Sequence, residues 1–311
     1  LLAIADKISD TPGPISLQAI GNGVNGLQNM NPTDSKGTAK VLSAFIDKIP
    51  DADQAPTCQH IGSALFGLRS MSSEEPLALA FLEALLTKIN SYDDDIDFND
   101  VSLSCSLNGL RCMNDNKREV RNMLAYLAGR IEASDYSKPP NRTGFISSKA
   151  LSSALMGMTK MSFGSKEADS VIGALAKRVD VAATDSNVPE CVGMALYGLQ
   201  SVPLSPAVEE MIGKLAKKIS GNRGQMNEKS ISFALYGLKN KPGTKSGGVA
   251  DLLEALATKV NQSKQPLSAQ STSMCMLGLV KQTSEQREAL RLLSGLRLKL
   301  GRFDKQACGG M

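Results

Sequence analysis

A glycine-centred motif recurs along the chain at an almost constant interval. Its clearest copy is Ser232 to Leu238, which reads small, any, small, Leu, variable, Gly, Leu. The motif Gly recurs 41, 42, 48, 41, 39 and 41 residues apart, at Gly26, Gly67, Gly109, Gly157, Gly198, Gly237 and Gly278. Such a period is typical of stacked supersecondary units, each too small to bury its own apolar face. The repeat therefore predicts one elongated array instead of the two or three domains that 311 residues would otherwise imply.

The motif itself has the apolar spacing of a helix, which we call helix A. With the motif Gly as position zero, apolar residues occupy −2 and +1 and Met often occupies +4, as at Leu65, Leu68 and Met71. Residues at these offsets share one helical face. A Met, Ser or Pro then marks the end of the segment.

A second helix, B, follows each motif. Its apolar residues lie at −6, −3 and +1 from a basic residue, as Leu82, Leu85 and Ile89 do around Lys88. Two amphipathic helices per period predict an all-α fold, a two-layer α-solenoid of helix-turn-helix repeats with a period of about 41 residues.

The same offsets place every helix and bound the array. A-helices are predicted near residues 15–30, 56–71, 100–113, 146–161, 188–201, 227–240 and 267–281. B-helices are predicted near residues 1–8, 38–49, 76–90, 117–132, 166–180, 206–219, 248–261 and 284–300. The array should occupy residues 1–302, starting in mid-repeat, and residues 303–311 read as a C-terminal tail. The one long interval contains Ser134 to Gly144, predicted to be an extended surface loop because of its Pro and Asn content.

Small residues recur on helix A at the motif Gly and at offset −5. Glycine inside a helix costs roughly 0.5–1 kcal/mol relative to alanine. Because this cost is repeated in every unit, we expect a steric need at each Gly. The pattern predicts that the A-helices approach one another closely and form the inner layer of a curved solenoid.

The sequence contains few residues in patterns typical of catalytic or metal-binding sites. His60 is the only histidine and adjoins apolar Ile61, which favours a structural role. The acidic run Asp93 to Asp100 lacks the Gly and Glu that an EF-hand calcium loop needs at positions six and twelve, so we interpret it as a solvated loop with helix-capping Asp residues. The six cysteines are scattered and read as small buried residues in a reducing compartment. We expect no catalysis, cofactor, metal or small-molecule substrate, and no apolar run approaches the ~20 residues of a membrane span.

A column of basic residues is the strongest signal beyond the core. The residue before the last apolar position of each B-helix is always cationic, which gives a cation ladder of Lys7, Lys48, Lys88, Arg130, Arg178, Lys218, Lys259 and Lys299. One interpretation is local, because a cation in the last helical turn opposes the partial negative charge there. The other is a track for phosphates, with one contact per repeat. The pattern leaves both open.

The outward side of helix A is a second candidate surface. Offsets −1 and +2 carry variable residues, of which the candidates for binding are Asn25, Phe66, Arg69, Asn108, Arg111, Tyr197, Gln200, Tyr236 and Lys239. Repeat proteins that read RNA use two or three such side chains per repeat. A groove that binds protein subunits is the competing interpretation.

The motif followed by a Leu-Leu-x-Ala-Leu-x-x-Lys-Ile type of B-helix resembles the octotricopeptide-like and heptatricopeptide-like helical repeats of algal and protist organelles. Their Leu-Trp-Ala-Leu-type core corresponds to Ala64–Leu68 and Ala195–Leu199 here. This chain lacks Trp, has a longer repeat and has no counterpart of the family's RAP domain. The resemblance implies binding of single-stranded RNA, in its maturation, stability or translation, in a plastid or mitochondrion. The net charge of +4 permits nucleic acid without requiring it and leaves a structural adaptor of a larger assembly as the alternative.

Overall fold

The computed structural model describes residues 1–92, 96–136, 144–182, 186–243 and 247–300. The described residues contain fifteen α-helices and no β-strand. In chain order the helices are α1 (Leu2–Asp10), α2 (Leu17–Asn25), α3 (Lys36–Lys48), α4 (Cys58–Gly67), α5 (Pro76–Asn90), α6 (Asp100–Gly109), α7 (Arg118–Ala133), α8 (Ser148–Met156), α9 (Lys166–Lys177), α10 (Val188–Gly198), α11 (Pro206–Gly221), α12 (Glu228–Tyr236), α13 (Gly248–Gln262), α14 (Ala269–Gly278) and α15 (Arg287–Lys299).

The helices form two layers in sequence order. Even-numbered helices are the predicted A-helices and odd-numbered helices are the predicted B-helices. Each A-helix packs on the next A-helix, and each B-helix packs on the next B-helix. The all-α, two-layer solenoid is therefore confirmed. We number the repeats 1 to 7 by their motif Gly, so that repeat 1 is α2 with α3 and repeat 7 is α14 with α15.

The apolar offsets predicted from the sequence form one continuous core between the layers. Leu65, Leu68 and Met71 of repeat 2 are fully buried, and Leu82 and Leu85 from the paired B-helix are nearly so. The array therefore buries apolar surface through stacking, as nearest-neighbour repeats require.

The A-helices end earlier than predicted. Helix α4 stops at Gly67, and Leu68 and Met71 then donate backbone hydrogen bonds to Leu65 and Leu68, three residues back. These successive turns tighten the chain after the Gly, so apolar side chains at +1 and +4 remain buried without an α-helix around them. The same overshoot occurs in all seven A-helices.

A capping residue starts most A-helices ten residues before the motif Gly. Its side chain accepts a hydrogen bond from the backbone N–H three residues on, as Asn99 does from Ser102 at 2.8 Å. The other members of this column are Ser16, Thr57, Ser147, Asn227 and Ser268. The cap of α6 is therefore Asn99, whereas the sequence interpretation assigned capping to Asp residues of the acidic run.

The motif glycines lie where neighbouring A-helices meet. A Cβ built on Gly157 would overlap the carbonyl oxygen of Leu107, which lies at offset −2 of the preceding repeat. The same relationship holds at Gly67, Gly109, Gly198, Gly237 and Gly278. At offset −5, a Cβ on Gly193 would lie 2.8 Å from the carbonyl oxygen of Ser230 in the following repeat. Close approach of A-helices thus explains both small columns.

The predicted tail and the predicted loop after α7 fall wholly or partly outside the described residues. The tail 303–311 lies outside them entirely, as do residues 137–143 of the loop after α7. At the base of that loop Tyr136 is buried, 3% exposed, and its ring lies 5.2 Å from the guanidinium of Arg178. Tyr136 is therefore part of the core, although the segment was predicted to lie on the surface.

Candidate functional site

The cation ladder connects most B-helices to the one before. Six of its members donate hydrogen bonds to main-chain carbonyl oxygens at or just beyond the end of the preceding B-helix. These pairs are Lys48 with Thr11, Lys88 with Pro50, Arg178 with Glu132, Lys218 with Asp180, Lys259 with Asn222, and Lys299 with Ser263. Glu132 lies in the last turn of α7, and the other five acceptors lie one to three residues beyond their helix ends, where no further helical N–H follows to bond them. These hydrogen bonds favour a structural role for the ladder. Each cation, however, bonds at the end of the preceding B-helix and not at the end of its own helix.

Burial separates the members of the ladder. Lys218 and Lys259 are 3% and 5% exposed, and burial lowers the pKa of Lys259. Lys7, by contrast, is exposed. It lies in α1, the first B-helix of the described residues, so no earlier B-helix end lies beside it. Arg130 lies 6.0 Å from the ring of Tyr126, measured from its guanidinium carbon to the ring centroid. The buried amines of Lys218 and Lys259 face carbonyl oxygens inside the protein. A phosphate track along the whole ladder stays a prediction.

The second candidate surface lies on the solvent side of the A layer. We call A-face the surface formed by side chains at offsets −8, −4, −1, +2 and +3 in the seven repeats. Residues at −8, −4 and −1 are half-buried or exposed in every repeat, while the intervening −3 and +1 positions are mostly buried. All nine candidates at offsets −1 and +2 belong to this surface, and among them only Gln200 is buried.

The structure gathers these candidates into two groups and leaves two apart. In repeat 2, the guanidinium of Arg69 lies 4.9 Å from the Phe66 ring centroid and donates to Oδ1 of Asn29 at 2.9 Å. Asn25 belongs to the neighbouring repeat on the same side. Asn108 instead donates through Nδ2 to the carbonyl and hydroxyl oxygens of Ser153, and Arg111 is half-buried in the same repeat.

The second group is an aromatic cluster in repeats 5 and 6. The rings of Tyr197 and Tyr236 stack with centroids 5.7 Å apart, and Phe233 lies 4.6 Å from Tyr197. Lys239 donates to Tyr236 Oη and to Gln200 Oε1, both at 3.1 Å. The Lys239 amine therefore lies beside half-buried aromatic rings. A ligand with an aromatic face and an anionic group can contact the rings and the amine together.

Sequence reasoning missed part of this cluster. Phe233 lies at offset −4 and Lys229 at −8, and the Lys229 amine is 5.4 Å from the Phe233 ring centroid. Offsets −8 and −4 lie two turns and one turn before −1 on the same helical face. Extending the helical face backwards from the candidates at −1 would have found both residues.

The A-face is strongly positive. It carries seven basic residues, Arg69, Arg111, Lys149, Lys160, Lys229, Lys239 and Lys281, and a single acidic one, Glu190. Ion pairs between described residues instead join B-helices and their loops, as between Lys177 and Glu132 or Lys117 and Glu74. The positive potential of the A-face is therefore not cancelled by carboxylates on the same surface.

Metal-binding side chains and the lone histidine bear on the expectations drawn from the sequence. No group of three His, Cys, Asp or Glu side chains is placed to hold a metal ion in the described ranges. Burial lowers the pKa of His60, and its Nδ1 is shielded from water without a hydrogen bond. None of the five described cysteines forms a disulfide, and burial raises the pKa of Cys105 and Cys275. Asp93 to Asp95 of the acidic run lie outside the described residues.

None of the helices in the described ranges combines the length and apolarity that a membrane crossing requires. Neither a protein-family model nor a curated protein matches the chain, so its resemblance to organellar RNA-binding repeats stays a prediction made from the motif.

Proposed function

We propose that this chain is a non-catalytic helical-repeat binding module that holds single-stranded RNA along its A-face. The observation that carries the proposal is the aromatic cluster of Tyr197, Phe233 and Tyr236 with Lys229 and Lys239 beside its rings. Aromatic rings next to cations are the combination that single-stranded nucleic acids require, since bases stack and phosphates need positive charge.

Phosphate contacts come from the A-face cations in this proposal. Lys149, Lys160, Lys229 and Lys281 are exposed, and no described carboxylate forms an ion pair with them. The cation ladder on the B layer then serves mainly to join repeats, because most of its side chains already donate to main-chain carbonyls. The two basic columns of the protein thereby have different roles.

Base contacts come from the half-buried residues at offset −1. Tyr197 and Tyr236 offer ring surface in the C-terminal repeats, while Asn25 and Asn108 offer amides in the N-terminal repeats. Stacking tolerates any base, whereas amide groups can select among base edges. The resemblance to organellar repeats supports a role in RNA maturation, stability or translation in a plastid or mitochondrion.

Salt dependence of RNA binding tests the proposal. In single strands the log–log slope is about −0.7 per neutralised phosphate, so seven A-face cations predict a slope of roughly −5. Changing Lys149, Lys160, Lys229 and Lys281 to Gln should reduce the slope by about half and weaken binding at low salt. The matched control changes four exposed B-layer lysines, Lys36, Lys40, Lys166 and Lys217, to Gln and alters net charge equally.

The control decides whether the A-face is the site. Binding that weakens equally in both quadruple variants would show only a general charge effect and would contradict the proposal. Failure of the parent protein to bind RNA at low salt would also overturn it.

A structural adaptor that docks protein subunits is the second candidate function. It is favoured by apolar side chains exposed on the last repeat, where Met276 and Leu277 are each 52% exposed and Val280 is 67% exposed. Monomeric proteins rarely leave large contiguous apolar patches uncovered. Under this alternative, Leu277→Asp with Val280→Asp should abolish binding of the protein partner, whereas the lysine variants should not.

A further inference from the structure

A cavity of about 350 Å³ opens on the A-face between α2, α4 and α6. Its walls include Asn25 at the end of α2, Gln59 and Phe66 on α4, and Asn99 and Cys105 at α6. Its volume is at the lower end of the roughly 300–1,000 Å³ of ligand pockets, so it suits one small planar group.

The cavity exists because side chains at offset −4 are small in repeats 2 and 3. Ser63 and Cys105 occupy these positions, whereas repeats 6 and 7 have Phe233 and Met274 there. Gly62 also lines the cavity, and its lack of a Cβ lets α4 and α6 pack closely at the cavity floor, since a Cβ there would lie 3.0 Å from the carbonyl oxygen of Ser102. The same surface is therefore filled by side chains near the C-terminal end and open near the N-terminal end.

Amide side chains line the cavity. Asn25 and Gln59 each contribute one to its wall. Oδ1 of Asn25 is shielded from water, so the oxygen does not face the open space. Side-chain amides pair with the edges of unstacked bases. Asn99, in contrast, already caps α6 through its Oδ1.

An aromatic ring and a cation complete the site. Phe66 is half-buried at the cavity wall, and the guanidinium of Arg69 lies 4.9 Å from its ring centroid. The exposed side chain of Gln59 also lines the cavity, two turns before Phe66 on the same face of α4. Ring, amides and guanidinium together match the face, edge and phosphate of a nucleotide.

We propose that this cavity receives one unstacked nucleobase of the bound RNA, whose edge meets the amide side chains of Asn25 and Gln59 and whose face contacts Phe66. Arg69 lies beside the phosphate of the same nucleotide. The inference rests on the proposed RNA-binding function. It adds that one nucleotide is held in a discrete pocket in the N-terminal repeats, while the C-terminal aromatic cluster stacks bases on an open surface.

Abasic scanning tests the pocket. The probe is a short single-stranded RNA of mixed sequence and a series of the same RNA in which one nucleotide at a time lacks its base. Stacking is worth about 1–3 kcal/mol per base, so removing the base that occupies the pocket should weaken binding about 5- to 150-fold.

Two variants identify which nucleotide that is. Cys105→Phe places at offset −4 the residue type that Phe233 provides in repeat 6 and so fills the cavity, and Asn25→Leu removes an amide from the cavity wall while keeping a similar volume. Both should bind the intact RNA more weakly, and the abasic penalty at one nucleotide should disappear in both. Met194→Phe is the matched control, because it enlarges the offset −4 side chain in repeat 5, outside the cavity, and should leave that penalty unchanged. Melting temperatures confirm that the variants are folded.

The outcomes separate the two proposals. If the parent binds RNA but its abasic profile is the same in both pocket variants, the nucleobase pocket is wrong while the RNA-binding function stands. If the parent binds no RNA at low salt, both are wrong.

Discussion

The amine of Lys259 donates a hydrogen bond of 2.5 Å to the main-chain carbonyl oxygen of Asn222, which closes α11 thirty-seven residues earlier. It also donates to the carbonyl oxygen of Gly224 at 2.9 Å. The end of one B-helix is thus capped by a side chain of the next repeat. This contact couples neighbouring units through polar groups as well as through the apolar core, which should make the array more cooperative.

The buried members of the ladder should be important for stability. Lys218→Met or Lys259→Met leaves carbonyl oxygens of the preceding helix end without their donor, which typically costs about 1–3 kcal/mol each. Chemical denaturation of each variant measures the free energy of unfolding. Lys7→Met is the control, because Lys7 is exposed and its amine has no acceptor among the described residues. Equal small effects at all three positions would show that the carbonyl contacts contribute little.

The motif Gly should not tolerate even one added methyl group inside the array. Gly157→Ala would place Cβ against the carbonyl oxygen of Leu107 and force neighbouring A-helices apart, at a cost of about 1–3 kcal/mol or more. Gly129→Ala in α7 is the control, because its Cβ would meet no atom within 4 Å. That control should be neutral or stabilising by up to about 1 kcal/mol. Thermal melts of the two variants compare them directly, and an unchanged melting temperature for Gly157→Ala would refute the packing argument.

Lys241 should make stability depend on pH. It occupies offset +4, where Met71 and Met113 lie in earlier repeats, and its buried amine donates to the carbonyl oxygens of Leu199 and Val202 at 2.6 and 3.2 Å. Burial, reinforced by the charge of Lys239, lowers the pKa of Lys241 from 10.5 to about 7. Between these values the folded state binds fewer protons than the unfolded state, so the free energy of unfolding rises with pH.

The melting temperature should therefore rise between about pH 7 and pH 9 in the parent protein. Lys241→Met restores the usual residue of the repeat, so we expect a higher melting temperature near pH 7 and loss of most of the rise. Lys239→Gln, which keeps the buried amine, should retain most of it. The same pH profile in parent and Lys241→Met would assign the rise to another group.

The aromatic cluster should contribute to RNA affinity without selecting sequence. Tyr197→Ala with Tyr236→Ala removes two stacked rings and should cost about 1–3 kcal/mol per base that loses its partner, similarly for different single-stranded RNAs. Fluorescence anisotropy with oligonucleotides of different base composition measures this. Tyr92→Ala, on the B layer, should leave affinity unchanged. A loss confined to one base composition would show that these rings read sequence.

The sequence predicted the helix positions and the core residues. It could do so because the same apolar spacing, which indicates one face of a helix, repeats in all seven units. The predicted A-helix ends were wrong by three to five residues. The buried Met at +4, as at Met71, continues the helical spacing even though the backbone after Gly67 has changed to tighter turns. Spacing alone does not distinguish a helix from a turn that buries the same side chains.

The sequence by itself determined the repeat architecture and the need for a small residue at each motif position. Both can be read from the sequence because every repeat places the same residue types at the same helical positions. Only the tertiary structure decided which carbonyl oxygens the ladder cations meet. Lys218 and Lys259 resemble surface residues in sequence, yet their acceptors lie 35–38 residues away and become neighbours only through stacking. It also decided that rings at Tyr197, Phe233 and Tyr236 meet while Asn25 and Phe66 border an open cavity. Such contacts depend on side-chain volumes in adjacent repeats, which no single motif contains.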